Sequence, residues 1–312
     1  MKLASMSSVP LLATSNSLAT SIENIVTLET STGSLEGTLL TASSNETKIV
    51  ALIIAGSGPT DRDGNGPTMT NNCLKMLAVA LSKMGFSSLR YDKRGVGKSK
   101  SASIEEGELR FEDYISDANS WIEYLSSVGG FDKIVVIGHS EGSLIGMISS
   151  QQKTVDKFVS IAGAGEPADQ TIRDQLKSQP PGVFEQSVII LDRLLRGETF
   201  ENVPAPLNSL FRPSVQPYMI SWFKYDPQKE ISKLTDKPVL IIQGSTDIQV
   251  SLNDAERLAM ANRKAEKVII KKMNHVFKAA SLDRESNLQT YNQPDLPIRP
   301  ELAQVVSDFM LN

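Results

Sequence analysis

Short apolar runs recur along the chain, and most are followed by a stretch whose apolar positions fall at helical spacing. Asn24–Thr30 and Leu35–Thr41 read as a β-hairpin pair joined by Ser31-Thr32-Gly33. Lys48–Ala55 (KIVALIIA) is β-branched or aliphatic almost throughout, the mark of a strand buried on both faces. Ser88–Tyr91 is a shorter strand, and Lys133–Ile137 (KIVVI), Lys157–Ala162, Pro238–Gln243 and Lys267–Lys271 repeat the buried pattern. Helices are predicted over Asn72–Met84, closed by Gly85, and over Leu144–Gln151, Asp254–Ala261 and Pro300–Met310. Phe111–Val128 is the most amphipathic, with Tyr114, Ala118, Trp121, Ile122 and Leu125 on one face. Strand and helix alternating in this way predict an α/β protein, with a mainly parallel sheet covered by helices on both sides.

One region interrupts the alternation. Between Glu166 and Lys233 there is no buried-strand pattern, prolines stand at positions 180, 181, 204, 206, 213 and 217, and two helical patterns are visible. Residues 166–233 are therefore expected to be a cap inserted between core segments 23–165 and 234–312. Residues 1–22 are rich in Ser, Thr and Ala and are expected to be a disordered tail rather than a working signal. Their apolar VPLLA is shorter than the roughly 7–15 residues a signal core needs. That favours a cytoplasmic location; a secreted or periplasmic one follows if the segment is a signal.

Composition narrows the function. A net charge of −4 argues against nucleic acid as partner, and no apolar run approaches the length of a membrane span. A single cysteine, Cys73, excludes an internal disulfide and a Cys-based zinc site, and two histidines are too few for a His-rich metal cluster. Two motif-like stretches also fail on inspection. DKRGVGKS (Asp92–Ser99) ends like a phosphate-binding loop, but the first glycine of that motif is Asp92 here and no uninterrupted helix follows. DRDGNG (Asp61–Gly66) opens like a calcium loop, but its twelfth position is Asn72 rather than Glu, and Pro67 follows the glycine. Asp61, Arg62 and Asp63 are expected instead to form a polar network that stiffens their loop.

The chemistry concentrates elsewhere. KIVVI runs directly into Gly138-His139-Ser140-Glu141-Gly142, with a helix after it. G-x-S-x-G between a strand and a helix is a nucleophile elbow, which lifts the serine hydroxyl above the strand ends at a helix N-terminus. Ser140 then needs a base. His139 adjoins it and should point away, which leaves His275, in the loop after the last core strand. An acid should lie between the two in chain order, and Asp247, after the strand PVLIIQ, meets that demand. Candidate oxyanion donors are the backbone N–H groups of Glu141 and of Ser57, in Ala55-Gly56-Ser57-Gly58-Pro59.

Together IIAGSGPTDRDGNG, YDKRGVGKS, GHSEG, GSTDIQV and NHVF resemble the α/β-hydrolase superfamily, specifically serine-esterase-like members with a G-S-G-P-x-D-R-D loop. The resemblance runs from about Thr47 to the C-terminus. It implies a core of about eight strands, a Ser140/Asp247/His275 triad and no cofactor. It also implies that Asp92 and Arg94 brace the turn beneath the site. The usual His-Gly pair of the oxyanion loop is Ala55-Gly56 here.

The expected activity is hydrolysis of carboxylic esters of short to medium acyl length through an acyl-enzyme. In the cap, Phe184, Phe211, Trp222, Phe223 and Tyr225 offer an apolar lining, with Trp222 and Phe223 the candidate pocket residues. Aminopeptidase-like and thioesterase chemistry are alternatives; Glu185, Asp192, Glu198 and Glu201 are the carboxylates that could hold a substrate amine. A ligand receptor on the same fold is the alternative from another class. The partner expected is a small ester; assembly into a homo-oligomer is left open.

Overall fold

The computed structural model describes residues 21–42 and 47–312; residues 1–20, most of the expected tail or signal segment, lie outside the described residues. The strands are β1 (Ile22–Thr30), β2 (Gly33–Thr41), β3 (Ile49–Ile54), β4 (Ser87–Tyr91), β5 (Lys133–His139), β6 (Lys157–Ile161), β7 (Val239–Gly244) and β8 (Glu266–Ile270). They form one sheet in the order β1-β2-β4-β3-β5-β6-β7-β8. From β4 to β8 all neighbours are parallel, and β2 runs antiparallel to both β1 and β4. The predicted hairpin has the tightest closure available, with Thr30 paired to Gly33 across a two-residue turn.

All six residues of β3 are buried, and their alternation divides the core in two. Val50, Leu52 and Ile54 face Phe111, Trp121 and Ile122 of α2 (Phe111–Ser127) and Leu144 and Ile145 of α3 (Glu141–Ser149). Ile49, Ala51 and Ile53 face Leu74, Leu77 and Leu81 of α1 (Cys73–Lys83), and with them the C-terminal helix, residues 300–311. A strand presents successive side chains to opposite faces, so a near-continuous apolar run requires cover on both.

Between β6 and β7 the chain is helical: α4 (Ala168–Leu176), α5 (Pro181–Leu195), α6 (Asn208–Phe211), α7 (Gln216–Trp222) and α8 (Pro227–Ser232). The sequence pattern suggests two helices here. Prolines explain the difference, because Pro181, Pro217 and Pro227 sit in first helical turns, where a missing N–H costs nothing. The insert has its own apolar cluster of Ile172, Ile190, Leu191, Leu194, Leu207, Phe211 and Met219. Tyr218 and Ile231 instead join the core under the sheet. The chain closes with α9 (Leu252–Ala261), α10 (Arg284–Gln289) and α11 (Pro300–Leu311).

The loops at the carboxyl ends of β3 and β4 are fixed by buried ions. Asp92 accepts from the Arg62 guanidinium and from the amides of Arg62 and Lys98, each at 2.8 Å. Arg62 also reaches Thr38 at 3.0 Å and Glu36 at 2.6 Å. Asp61 Oδ1 takes the amides of Asp63 and Asn65, while Asp63 pairs with Arg90. Arg94 binds Asp117 of α2, its Nε donating at 2.8 Å. In DKRGVGKS the amide that a phosphate loop would turn toward its ligand is thus occupied by Asp92, and a 3₁₀ turn, Ser99–Ala102, follows rather than an α-helix. Breaking a buried pair from one side strands its partner, at about 3–5 kcal/mol. Asp92→Ala is therefore expected to lose about that much in urea unfolding, and a loss below about 1 kcal/mol would contradict this account of the loops.

Candidate active site

Ser140 links β5 to α3 with φ 55° and ψ −122°, a backbone conformation that a side chain makes costly by about 1–3 kcal/mol. Its amide is tied to the Ile161 carbonyl of β6 at 3.0 Å. The flanking glycines are sterically required. A Cβ on Gly138 would overlap the Gly142 carbonyl, and one on Gly142 would overlap the carbonyls of Ile54 and Ala55. α3 consequently begins at Glu141, three residues before the helical pattern becomes readable, because Gly142 and Ser143 are weak helix formers held by packing.

Asp247 lies in the turn after β7 with its side chain wholly buried. Oδ1 accepts the amides of Gln249 at 2.8 Å and Val250 at 3.0 Å. Oδ2 accepts Gln243 Nε2 at 3.0 Å and pairs with His275 Nδ1 at 2.8 Å. Burial alone would raise this carboxyl's pKa, but His275 and the two amides hold it below the ordinary value. An ionised carboxylate only accepts, so the proton sits on His275 Nδ1 and the Nε2 lone pair is free to take another. Ser140 Oγ has no hydrogen-bond partner among the described residues.

His139 does more than point away from the serine. Its Nε2 meets the His275 backbone carbonyl at 3.0 Å, and its ring lies 4.8 Å from both the His275 and Phe277 rings. Burial, then the neighbouring His275, pulls its pKa down to about 3. A neutral ring wedged beneath the His275 loop fixes the backbone of His275. Adjacency in sequence gave no sign of it, since the contact spans 136 positions.

Gly56 packs so closely on the elbow that an added Cβ would lie 3.1 Å from Ser140 Cβ. Ser57 follows it, exposed in the wall of the cavity above Ser140. Neither the Ser57 nor the Glu141 amide donates to another group among the described residues. The Glu141 side chain is buried; its Oε1 accepts the Tyr218 hydroxyl of α7 at 2.6 Å, and its Oε2 stands 3.6 Å from Lys93 Nζ.

The cavity measures about 680 Å³ and includes Ser57, Ser140, Glu141, Leu144, Tyr218, Met219, Trp222 and Val250 in its wall. Asp247 and His275 are not part of that wall. Of the two expected pocket residues, Trp222 lines it and Phe223 does not, although both pack against the insert's own apolar cluster. Glu185, Asp192, Glu198 and Glu201 are also absent from the wall. Besides Glu141, two glutamates line it, each held by an arginine: Glu106 by Arg212, and Glu166 by Arg257 at 2.7 Å.

Comparison with known proteins agrees with this architecture. Residues 65–203 match the family described as serine aminopeptidase, S33. Esterase EstD of Thermotoga maritima is 30% identical over 211 residues, which are 66% of this chain and 48% of EstD, so the chain spans about half the length of that relative. Among solved structures, Est1E from Butyrivibrio proteoclasticus superposes with a TM-score of 0.58 at 16% identity, covering 92% of this chain and 97% of that one. An esterase of Pyrococcus furiosus, Pf2001, gives 0.58 at 16%, covering 93% and 91%. The chain has the α/β-hydrolase fold.

The depressed pKa of His139 gives a stability signature with a definite sign. The unfolded chain takes up a proton near pH 6.5 and the folded one only near 3, so stability from this group is present above 6.5 and lost on acidification through that window. The loss is up to about 1.4 kcal/mol per pH unit. In His139→Phe that contribution to the slope should vanish when urea unfolding is followed between about pH 7 and 4. Equal slopes in the two proteins would show that His139 is protonated in the folded state.

Proposed function

We propose that this chain is a serine hydrolase of carboxylic esters that works through an acyl-enzyme. The observation that carries the reading is the combination of a strained Ser140 in the wall of a 680 Å³ cavity and an Asp247–His275 pair at 2.8 Å. Ser140 Oγ attacks the ester carbonyl while His275 Nε2 takes its proton. The tetrahedral oxyanion is held by the Ser57 and Glu141 amides, each worth about 10²–10³ in rate. On collapse, His275 returns the proton to the leaving alcohol. Water then repeats the sequence on the acyl-enzyme and frees the acid and Ser140. Asp247 keeps His275 in the tautomer with Nδ1 protonated and stabilises the imidazolium that forms.

Residues 166–233 act in this reading as a cap. Ala168, Thr171 and Ile172 from α4 and Tyr218, Met219 and Trp222 from α7 line the cavity from that side. Ion pairs and hydrogen bonds tie the insert down: Arg212 to Glu106, the Phe111 amide to Ser221 Oγ at 2.7 Å, and Tyr218 to Glu141.

The match to a family described as serine aminopeptidase favours a second reading, cleavage at a peptide N-terminus. A free amine would need an uncommitted carboxylate, and each of the three glutamates in the cavity wall already has a cation beside it: Glu106 has Arg212, Glu166 has Arg257 and Glu141 has Lys93. This supports the ester reading. A panel of p-nitrophenyl esters run beside aminoacyl-nitroanilides decides between them: turnover confined to nitroanilides would overturn it.

Ser140→Ala should abolish both ester hydrolysis and labelling by a fluorophosphonate; labelling retained at another serine would mean the wrong nucleophile. Asp247→Asn should lower kcat by about 10⁴-fold with little change in KM, because it favours the wrong tautomer. Near-full activity would assign the orienting role to another carboxylate.

A bounded cavity also sets a length preference. Each methylene that fits gains about 0.8 kcal/mol, and overrunning the wall costs more. The optimum is expected at acyl chains of about C2 to C6, with a fall beyond about C10. Trp222→Ala should move it toward longer chains. A wild-type optimum at about C12 or above would exclude a bounded pocket.

A further inference from the structure

One charged side chain beside the site has no part in the mechanism above. Lys93, second residue of the DKRG turn after β4, is only 2% exposed. Its Nζ donates to the Gly56 carbonyl at 2.5 Å, stands 3.6 Å from Glu141 Oε2 and lies 5.1 Å above the Tyr114 ring. An ammonium in such a place is costly unless its partners hold it. Burial pulls its pKa below the ordinary lysine value, and Glu141 opposes that pull.

The identity of those partners is informative. The Gly56 carbonyl belongs to the peptide whose other end is the Ser57 N–H. A peptide is planar and trans, so its C=O and N–H point in opposite directions, and fixing one aims the other. The second partner is the side chain of Glu141, the residue that supplies the other oxyanion amide. Glu141 Oε1 is occupied by Tyr218, and among the described residues Oε2 has no hydrogen-bond partner and only Lys93 for a counter-charge. One ammonium therefore touches both halves of the oxyanion site from behind, without lining the cavity.

We infer that Lys93 is the positioning residue of the oxyanion site, clamping the Gly56 carbonyl so that the Ser57 amide faces the substrate, while compensating the buried Glu141 carboxylate. The inference rests on the reading of Ser57 and Glu141 as the oxyanion donors. Withdrawing electron density from the Gly56 carbonyl also makes the Ser57 N–H a better donor, since linked hydrogen bonds polarise one another. Lys93 is not in the cavity wall, so it acts on a substrate only through the groups it holds. Its effect belongs in the transition state, where charge appears on the oxygen, and not in ground-state binding.

Lys93→Met keeps the stem and removes the charge. With p-nitrophenyl butyrate, kcat should fall by about 10²-fold, the order of losing one oxyanion donor. KM should stay within about threefold, and affinity for a trifluoromethyl ketone, which forms a tetrahedral adduct, should fall in parallel with kcat. The double variant Lys93→Met/Glu141→Gln removes the stranded carboxylate as well, and carries the test if the single variant is too unstable to purify. With melting temperature recovered and kcat still low, the clamp stands. If the double variant regains wild-type kcat, charge compensation was the lysine's whole role and the inference is overturned. Ser140→Ala separates this from the underlying reading. Hydrolysis that persists without Ser140 removes the ester-hydrolase reading itself, whereas Ser140-dependent hydrolysis with undiminished kcat in Lys93→Met removes only the inference.

Discussion

The site depends on two backbones touching. The turn after β5 lies against the end of β3 so closely that Gly142 has no room for a Cβ beside the carbonyls of Ile54 and Ala55. One step further along, a Cβ on Gly56 would lie 3.1 Å from the Ser140 Cβ. β3 and β5 are parallel neighbours in register, Ile54 opposite Gly138, so both strands end at the same height and their loops must share the space above. That contact sets the loop carrying Ser57 directly against the turn carrying Ser140 and Glu141. A shift of one ångström there is the scale on which orientation is lost in catalysis.

Holding irregular loops at that contact is the work of buried charge. Arg62 with Asp92 and Glu36, Arg94 with Asp117, Arg90 with Asp63 and Lys93 with Glu141 form a layer beneath the loops after β3, β4 and β5. Apolar packing would be less costly in desolvation, since buried pairs roughly cancel their own solvation loss. A hydrogen-bonding ion, however, fixes a particular carbonyl or amide, and these ions bind backbone: Asp92 the amides of Arg62 and Lys98, Lys93 the carbonyl of Gly56. The insert is fastened to this layer through Tyr218 and Glu141, which couples the far side of the cavity to the elbow.

Two different kinds of signal made the site legible. Buried strands announce themselves by composition, because a segment covered on both faces has no polar position to spare. Each predicted strand stands within one or two residues of its place in the sheet. Asp247 and His275 were legible by order and position after strands, and they meet at 2.8 Å. His139, Lys93 and Phe223 carried no such signal. His139 acts on a loop 136 positions away, and Lys93 on glycine and glutamate 37 and 48 positions off. Phe223 and Trp222 are adjacent and pack on the same apolar cluster, yet of the two it is Trp222 that lines the cavity, a difference their residue types do not carry.

By itself, then, the sequence determined the alternation of strands and helices, the elbow and the chain order of Ser140, Asp247 and His275. These are local properties: side-chain periodicity, glycine where the backbone bends, and a loop after each strand. Only the tertiary structure decided how the chain continues through 166–233, which aromatic rings reach the cavity, and which charges lie buried beneath the loops. Those outcomes rest on contacts between segments far apart in the chain, where closeness in space has no counterpart in sequence spacing. A lysine in a glycine-rich turn reads the same whether it faces solvent or grips a carbonyl, and burial alone separates the two.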